Sequence, residues 1–556
     1  MKKLRFNKTL IAALFVACAT VGLFSCKKKT DAASSTSSAT GTTVVKGEIN
    51  TDTHWTSDMH VLLSGYVYVT SGHTLTIDAG TVIKADKATK GTLIIEQGAT
   101  IKAIGTPSLP IIFTSNQPAG SRTYGDWGGV ILCGYAKNNW VAASKTDGTV
   151  GTLSTGIGQV EGGPRSLYGG GNDADNSGML QYARIEFGGV AFSPNNEING
   201  LTLCSVGNAT VIDHIQVSYS GDDSYEWFGG TVNCNNLVAF KGWDDDFDTD
   251  NGYSGTVQFG MIYRDPYAAD QSGSHTFESD SRNESSSPAI LPITAATFQN
   301  VTAVGPLSNP NFNGYNANFV CGQIVRRSSS LSVYNSLIIG FPLGVIVDED
   351  PSFGSTVKNI NAGTLKFQNN AIIQTPNAVS VITARLNDPH SAPNSISAAS
   401  QDSSTWNIPA GSGPVGPYAW FMSSNNYFGA TEGLTSRLNY AFNNAGTPNF
   451  QPASTSYVVQ NKTSLPTSGP KSIAGSAAYT ALLASPYSYG KYPFNPALPI
   501  NTDTTNKFAN YNAPTWPANQ TVANHTNYIG AFISSNDWVA NWTNFDPVNA
   551  NYGAQY

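Results

Sequence analysis

The sequence predicts an all-β fold: a right-handed parallel β-helix with long inserted loops and a loop-rich C-terminal layer. Three observations carry this expectation. One apolar strand phrase occurs three times, at 214–221, 236–243 and 260–266, with a period of roughly 22 to 24 residues, the length one solenoid coil needs. Only 12% of residues are charged and glycines number 54, a balance that suits turn-rich β structure more than helices. Short β-branched runs bounded by Gly, Asp, Asn or Pro recur without helical spacing. The handedness follows from the rule for parallel crossovers.

The N-terminus opens Met1-Lys2-Lys3-Leu4-Arg5 and continues into the apolar run 10–24, so residues 1–25 read as a secretory signal. The run ends at Leu23-Phe24-Ser25-Cys26, which resembles a bacterial lipobox and implies lipidation of Cys26. Residues 26–46 are mainly Ser, Thr and Ala and are expected to form a flexible tether. No later run approaches the roughly 20 apolar residues of a spanning helix. The membrane is therefore expected as a partner through lipid alone, in an outer-membrane lipoprotein facing the cell surface or the periplasm.

The solenoid is expected over 47–384. Strands at 66–69, 75–77, 81–84, 93–95, 100–102, 111–113 and 129–132 open it, and the Gly-, Ser- and Thr-rich stretch 141–178 reads as a long loop. Further copies of the phrase lie at 183–189, 300–305, 335–340 and 370–373, where Asn300, Asn335 and Asn370 suggest a stacked ladder. Residues 385–556 are rich in Pro, Ser, Asn and aromatics and are expected to pack along the solenoid. Aligning 200–204 with 230–234 places Cys204 and Cys234 at equivalent positions, as a disulfide or as two stacked thiols.

Acids follow the first two copies of the phrase: Asp222, Asp223 and Glu226, then Asp244, Asp245, Asp246, Asp248 and Asp250. Coils stack about 4.8 Å apart, so these side chains should form a negative column. Such crowding needs a cation or basic side chains to offset repulsion. The eight acids are the expected metal ligands, with Ca2+ as the expected cofactor, because alternating carboxylates on a tight loop supply the oxygens calcium prefers. An EF-hand is excluded, since Asn251 and Val257 stand where that loop needs Gly and Glu. A charge-paired network using Lys241, Arg264, Arg282, Arg326 or Arg327, or a solvated acidic face, are the alternatives.

Trp227, Trp243, Tyr253 and Tyr263 interleave with the acids and are expected ligand contacts, since aromatic faces suit sugar rings; loop packing is the competing reading. A net charge of -7 excludes nucleic acid as a partner. The seven histidines show no metal-ligand spacing and no nucleophile elbow occurs.

Four motifs, 125–129, 196–201, 219–230 and 242–250, resemble a family of bacterial surface lipoproteins common in Bacteroidota-type genomes. The likeness spans nearly all of the mature chain and implies an exported parallel β-helix, with no established catalytic residues. The expected function is that of a cell-envelope recognition protein, stabilised by calcium, which binds a glycan or another macromolecule along its long face. A polysaccharide lyase or glycoside hydrolase is the enzymatic alternative, resting partly on fold analogy. In a lyase Asp222, Asp223, Asp244 and Asp246 hold calcium while Lys241 or Arg264 takes the proton; in a hydrolase Asp223 and Asp245 form the carboxyl pair. An adhesin or structural spacer without a catalytic site is the third class.

Overall fold

The computed structural model describes residues 41–144, 152–193, 196–281, 291–307, 315–348, 356–373, 375, 379–382, 420–421, 424, 426–429, 530–531 and 538–556. Cys26, the signal segment, most of the tether and most of 385–556 lie outside the described residues. The first strand, Thr42–Ile49, begins inside the stretch read as tether.

Successive coils stack as parallel strands on three faces. The first face runs through Thr53–Trp55, Thr74–Ile77, Thr100–Ile104 and the start of Gly178–Glu186, and continues through the start of Val211–Ser218. The second runs from the start of His60–Val69 through Val82–Ala85 and Ile111–Ser115 to the latter part of Gly178–Glu186. The third stacks Thr92–Ile95, Gly129–Cys133, Leu201–Cys204, Tyr225–Phe228, Phe247–Asp250 and Phe277–Ser279. Every one of these pairings is parallel, and the fold is a right-handed parallel β-helix.

The repeated phrase is one strand bent at a single residue. Tyr182, His214, Asn236, Phe259, Asn300 and Asn335 occupy the corner between the first two faces with φ between 47° and 63°. That left-handed conformation turns the chain within one residue, and Asn tolerates it better than most residues. In the next coil Asn369 takes the corner at φ 56°, which displaces Asn370 by one position. Asn370 instead accepts the Ser336 N–H at 2.8 Å and donates to the Val333 carbonyl at 2.9 Å. The expected Asn300, Asn335, Asn370 ladder is thus broken at its last rung, while Asn426 continues from Asn370 by accepting its N–H at 2.8 Å.

Inward side chains alternate with outward ones, as strand geometry requires. Leu201, Tyr225, Trp227, Phe247 and Phe277 fill the interior with Val217, Leu237 and Phe298. Residues 538–556 run back along the second face. Trp542 meets Tyr182 and His214 edge-on, Phe545 meets Phe240, and Tyr552 donates to Glu186 at 2.7 Å. Arg122 donates to the carbonyls of Pro547 and Ala550, and Tyr556 stacks on His60.

The cysteine alignment fails in space. Cys204 stacks between Cys133 and Phe228 on the third face, whereas Cys234 stacks between Ile212 and Val257 on the first. Cys133, Cys204, Cys234 and Cys321 are all buried and unbonded. Among the described residues no helix is long and apolar enough to cross a membrane.

Candidate functional site

Alternation on the third face decides which acids face outward. In 225–228 the interior takes Tyr225 and Trp227, which leaves Glu226 and Phe228 outside; in the next coil Asp248 and Asp250 take those outer positions. Register then places Thr202, Glu226, Asp248 and Glu278 in one outward column. Toward either end of the solenoid the column becomes apolar, with Ile131 beside Thr202 and Ile324 beside Glu278. The result is an acidic window three coils wide.

A second column stands on the turn entering this face. Asn199 Oδ1 accepts the Asp223 N–H at 3.2 Å, Asp223 Oδ1 accepts the Asp245 N–H at 2.8 Å, and Asp245 Oδ1 accepts the His275 N–H at 2.5 Å. Each side chain binds the backbone of the following coil, so the ladder fixes the carboxylates in place. Asn199 also donates to Glu226, joining the two columns.

Three groups of side chains place possible metal-ligand atoms within 4.8 Å of one another: Asp222, Asp223 and Asp244; Asp223, Glu226 and Asp248; and Asp245, His275 and Glu278. The third already contains its own cation. His275 Nδ1 lies 3.0 Å from Asp245 and 3.4 Å from Glu278. Burial alone pulls the imidazole pKa down, but Asp245 first and Cys321 second hold it up at about 10. The ring is therefore protonated at neutral pH and bridges the carboxylates.

Basic side chains serve the acids unevenly. Arg264 binds Asp246 at 3.0 Å with both side chains fully buried, and Lys241 binds Asp265 at 3.2 Å. Arg326 binds Glu278 and Asp280, and Arg327 binds Asp280. Among the described residues Asp222, Asp223, Glu226, Asp244, Asp248 and Asp250 make no ion pair. Burial first, and mutual repulsion second, push the carboxyls of Asp222, Asp223, Glu226, Asp244 and Asp248 well above the usual carboxylate range. The charges acting on Asp222 belong to Asp244, Glu197, Asp270 and Glu161, two of them on flanking loops.

Several expected roles do not survive this geometry. Trp227, Trp243 and Tyr253 are wholly buried and Tyr263 nearly so; Trp227 packs on Tyr225, Tyr253 and Phe298. Their rings build the core and offer no face to a sugar. Asp246 points to Arg264 and away from the window. Arg264 and Lys241 are buried in ion pairs, so neither reaches a substrate as a lyase base. Asp245 is engaged by His275, which removes it as a free partner for Asp223 in hydrolysis. Sequence reading missed Thr202, His275 and Glu278.

A family model for a pectate-lyase-like β-helix domain matches residues 47–414. Among solved structures, the catalytic domain of a GH87 alpha-1,3-glucanase variant in complex with tetrasaccharides is similar at 12% identity and a TM-score of 0.22, over 62% of this chain and 64% of that one. No curated protein matches.

Proposed function

The chain belongs to the pectate-lyase-like β-helix domain family, and on this fold we propose a polysaccharide-recognition protein whose acidic window works with a bound divalent cation. The observation that carries the proposal is the set of six acids without an ion pair among the described residues. Charge pairing accounts for Asp245, Asp246, Glu278 and Asp280 but leaves Asp222, Asp223, Glu226, Asp244, Asp248 and Asp250 without a direct ionic partner among the described residues, with only longer-range relief from Arg326 at Asp248, from Arg327 and Arg326 at Asp250, and from His275 at Asp244. Close carboxylates in a partly buried setting carry a heavy electrostatic cost that a divalent ion relieves. The donors are all oxygens, which favours calcium, magnesium or manganese over softer metals. A cation held there has coordination positions left for the carboxylate or hydroxyl groups of a glycan.

Glycoside hydrolysis is the second reading, and the raised carboxyl pKa values favour it. Crowded carboxyls that hold their protons more tightly than usual are the kind of group that serves as the acid beside an ionised partner. Glu226 and Asp248 are the pair best placed for it. Lyase chemistry has less support, because Lys241 and Arg264 are sequestered.

A panel of uronic-acid and neutral polysaccharides, incubated in calcium or in chelator, tests the proposal. Retention in calcium that is lost in chelator, without new chain ends, is the expected result. Retention indifferent to chelator overturns the cation's role, new reducing ends establish hydrolysis, and unsaturated ends establish a lyase. We also propose that lipid on Cys26 holds the protein at the outer membrane, which metabolic labelling with a fatty acid in wild type and Cys26→Ser tests.

A further inference from the structure

We propose that Asp223 bridges two hard-cation sites, one completed by Asp222 and Asp244 and the other by Glu226, Asp248 and the Thr202 hydroxyl. The inference rests on the cation reading above and adds its stoichiometry and ligand sets.

Asp223 belongs to two of the three groups, the two made of carboxylates alone. One carboxylate common to two clusters bridges them, provided each has further ligands of its own. Asp222 and Asp244 supply the outer set; Ser272 donates to Asp244 Oδ2 at 2.7 Å and Ser274 to its Oδ1 at 3.1 Å, which holds that carboxylate in place. Glu226 and Asp248 supply the inner set.

The independent sign of a ligand at the inner set is Thr202. Its side chain is 3% exposed and its Oγ1 has no hydrogen-bond partner. Leaving a hydroxyl buried without a partner is costly, so such a group signals a ligand that satisfies it. Thr202 stands opposite Glu226 in the adjoining strand, and Glu226 stands opposite Asp248, so all three project from the same side of the sheet. The Thr202 side chain, with its unpartnered hydroxyl, thus stands in the column next to Glu226. Asp248 Oδ1 is likewise buried and unpartnered. An oxygen-seeking ion satisfies both atoms together, and calcium accepts hydroxyl and water oxygens alongside carboxylates to reach six to eight ligands.

The two sites should differ in strength. In the inner set Glu226 and Thr202 are buried and Asp248 half-buried, while both ligands peculiar to the outer set, Asp222 and Asp244, are only half-buried. The inner ion is therefore better shielded from water and binds more tightly.

Equilibrium dialysis and calorimetric titration of the purified chain with calcium test the arrangement. Wild type is expected to take two ions with separable affinities. Thr202→Val, which keeps the side-chain shape, and Glu226→Gln should each weaken the tighter site by about tenfold or more and leave the weaker one. Asp222→Asn should do the converse. Asp223→Asn keeps an acceptor for the Asp245 N–H and should impair both; near-UV circular dichroism checks that each variant is folded. A single ion in wild type, or an Asp223→Asn variant that loses only one of two, overturns the bridge while leaving the cation reading intact. Tight-site affinity unchanged in Thr202→Val removes Thr202 from the ligand set and overturns the proposal as stated. No ion bound by folded wild type sinks the cation reading itself.

Discussion

Asp223 Oδ1 accepts the backbone N–H of Asp245 at 2.8 Å, so a residue at the centre of the acidic window is also a rung tying two coils together. Asparagine preserves that acceptor and alanine does not. In metal-free protein, Asp223→Asn should unfold near the wild-type midpoint or above it, because repulsion falls. Asp223→Ala strands a buried N–H and should lose about 1–3 kcal/mol. Chemical denaturation of both variants in chelator separates the structural role from the charge.

The window also makes stability depend on pH. Asp222, Asp223, Glu226, Asp244 and Asp248 hold protons more tightly in the folded chain than in the unfolded one, where such groups titrate near about 4. Their contribution is complete below that pH and is lost as pH rises through the folded values. The metal-free protein should therefore lose stability on going from about pH 4 toward neutrality. A cation binds the ionised form, so saturating calcium should restore stability at the upper end; melting curves across pH, with and without calcium, give the comparison. His275 acts in the same direction at higher pH, with its contribution lost as pH rises through about 10.

Trp227 is a core residue and should behave as one. Trp227→Ala should cost about 3–5 kcal/mol. Any glycan binding by the folded fraction should persist, and a binding isotherm recorded well below the melting temperature checks this. Loss of affinity at unchanged stability would return Trp227 to the ligand surface.

Arg264 is a structural counter-ion. Arg264→Ala leaves Asp246 as an uncompensated buried charge and should cost about 3–5 kcal/mol. Asp246→Asn in the same chain should recover part of that loss, as a double-mutant cycle would measure. A base in lyase chemistry would instead show an activity defect with no change in stability.

The solenoid and its acids were legible because a coil of constant length writes itself as a period. The pairing Tyr225 with Phe247 keeps that period; the next pairing, Phe247 with Phe277, spans an insertion. His275 and Glu278 consequently fell outside the acidic phrase although they occupy the next coil of the same columns. Trp227 was readable as interior from its place between Glu226 and Phe228, since alternation leaves only one of two neighbours outside. Cys204 and Cys234 were aligned on their flanking glycines, but matching letters on two different faces do not stack. Thr202 carries no charge and only the register reveals it. The return of residues 538–556 along the second face has no local signal either, as in Lys84 donating to the Ala554 carbonyl 470 residues away.

The most direct test of the central claim is thermal unfolding of the purified protein at pH 7, in calcium and in excess chelator. A melting temperature several degrees higher in calcium, with the gain abolished by combined Asp223→Asn and Glu226→Gln, is the predicted result, since a ligand bound only by the native state stabilises it. Identical melting in calcium, magnesium, manganese and chelator would contradict the cation-loaded window and leave its six acids as a repulsive cluster that the fold tolerates.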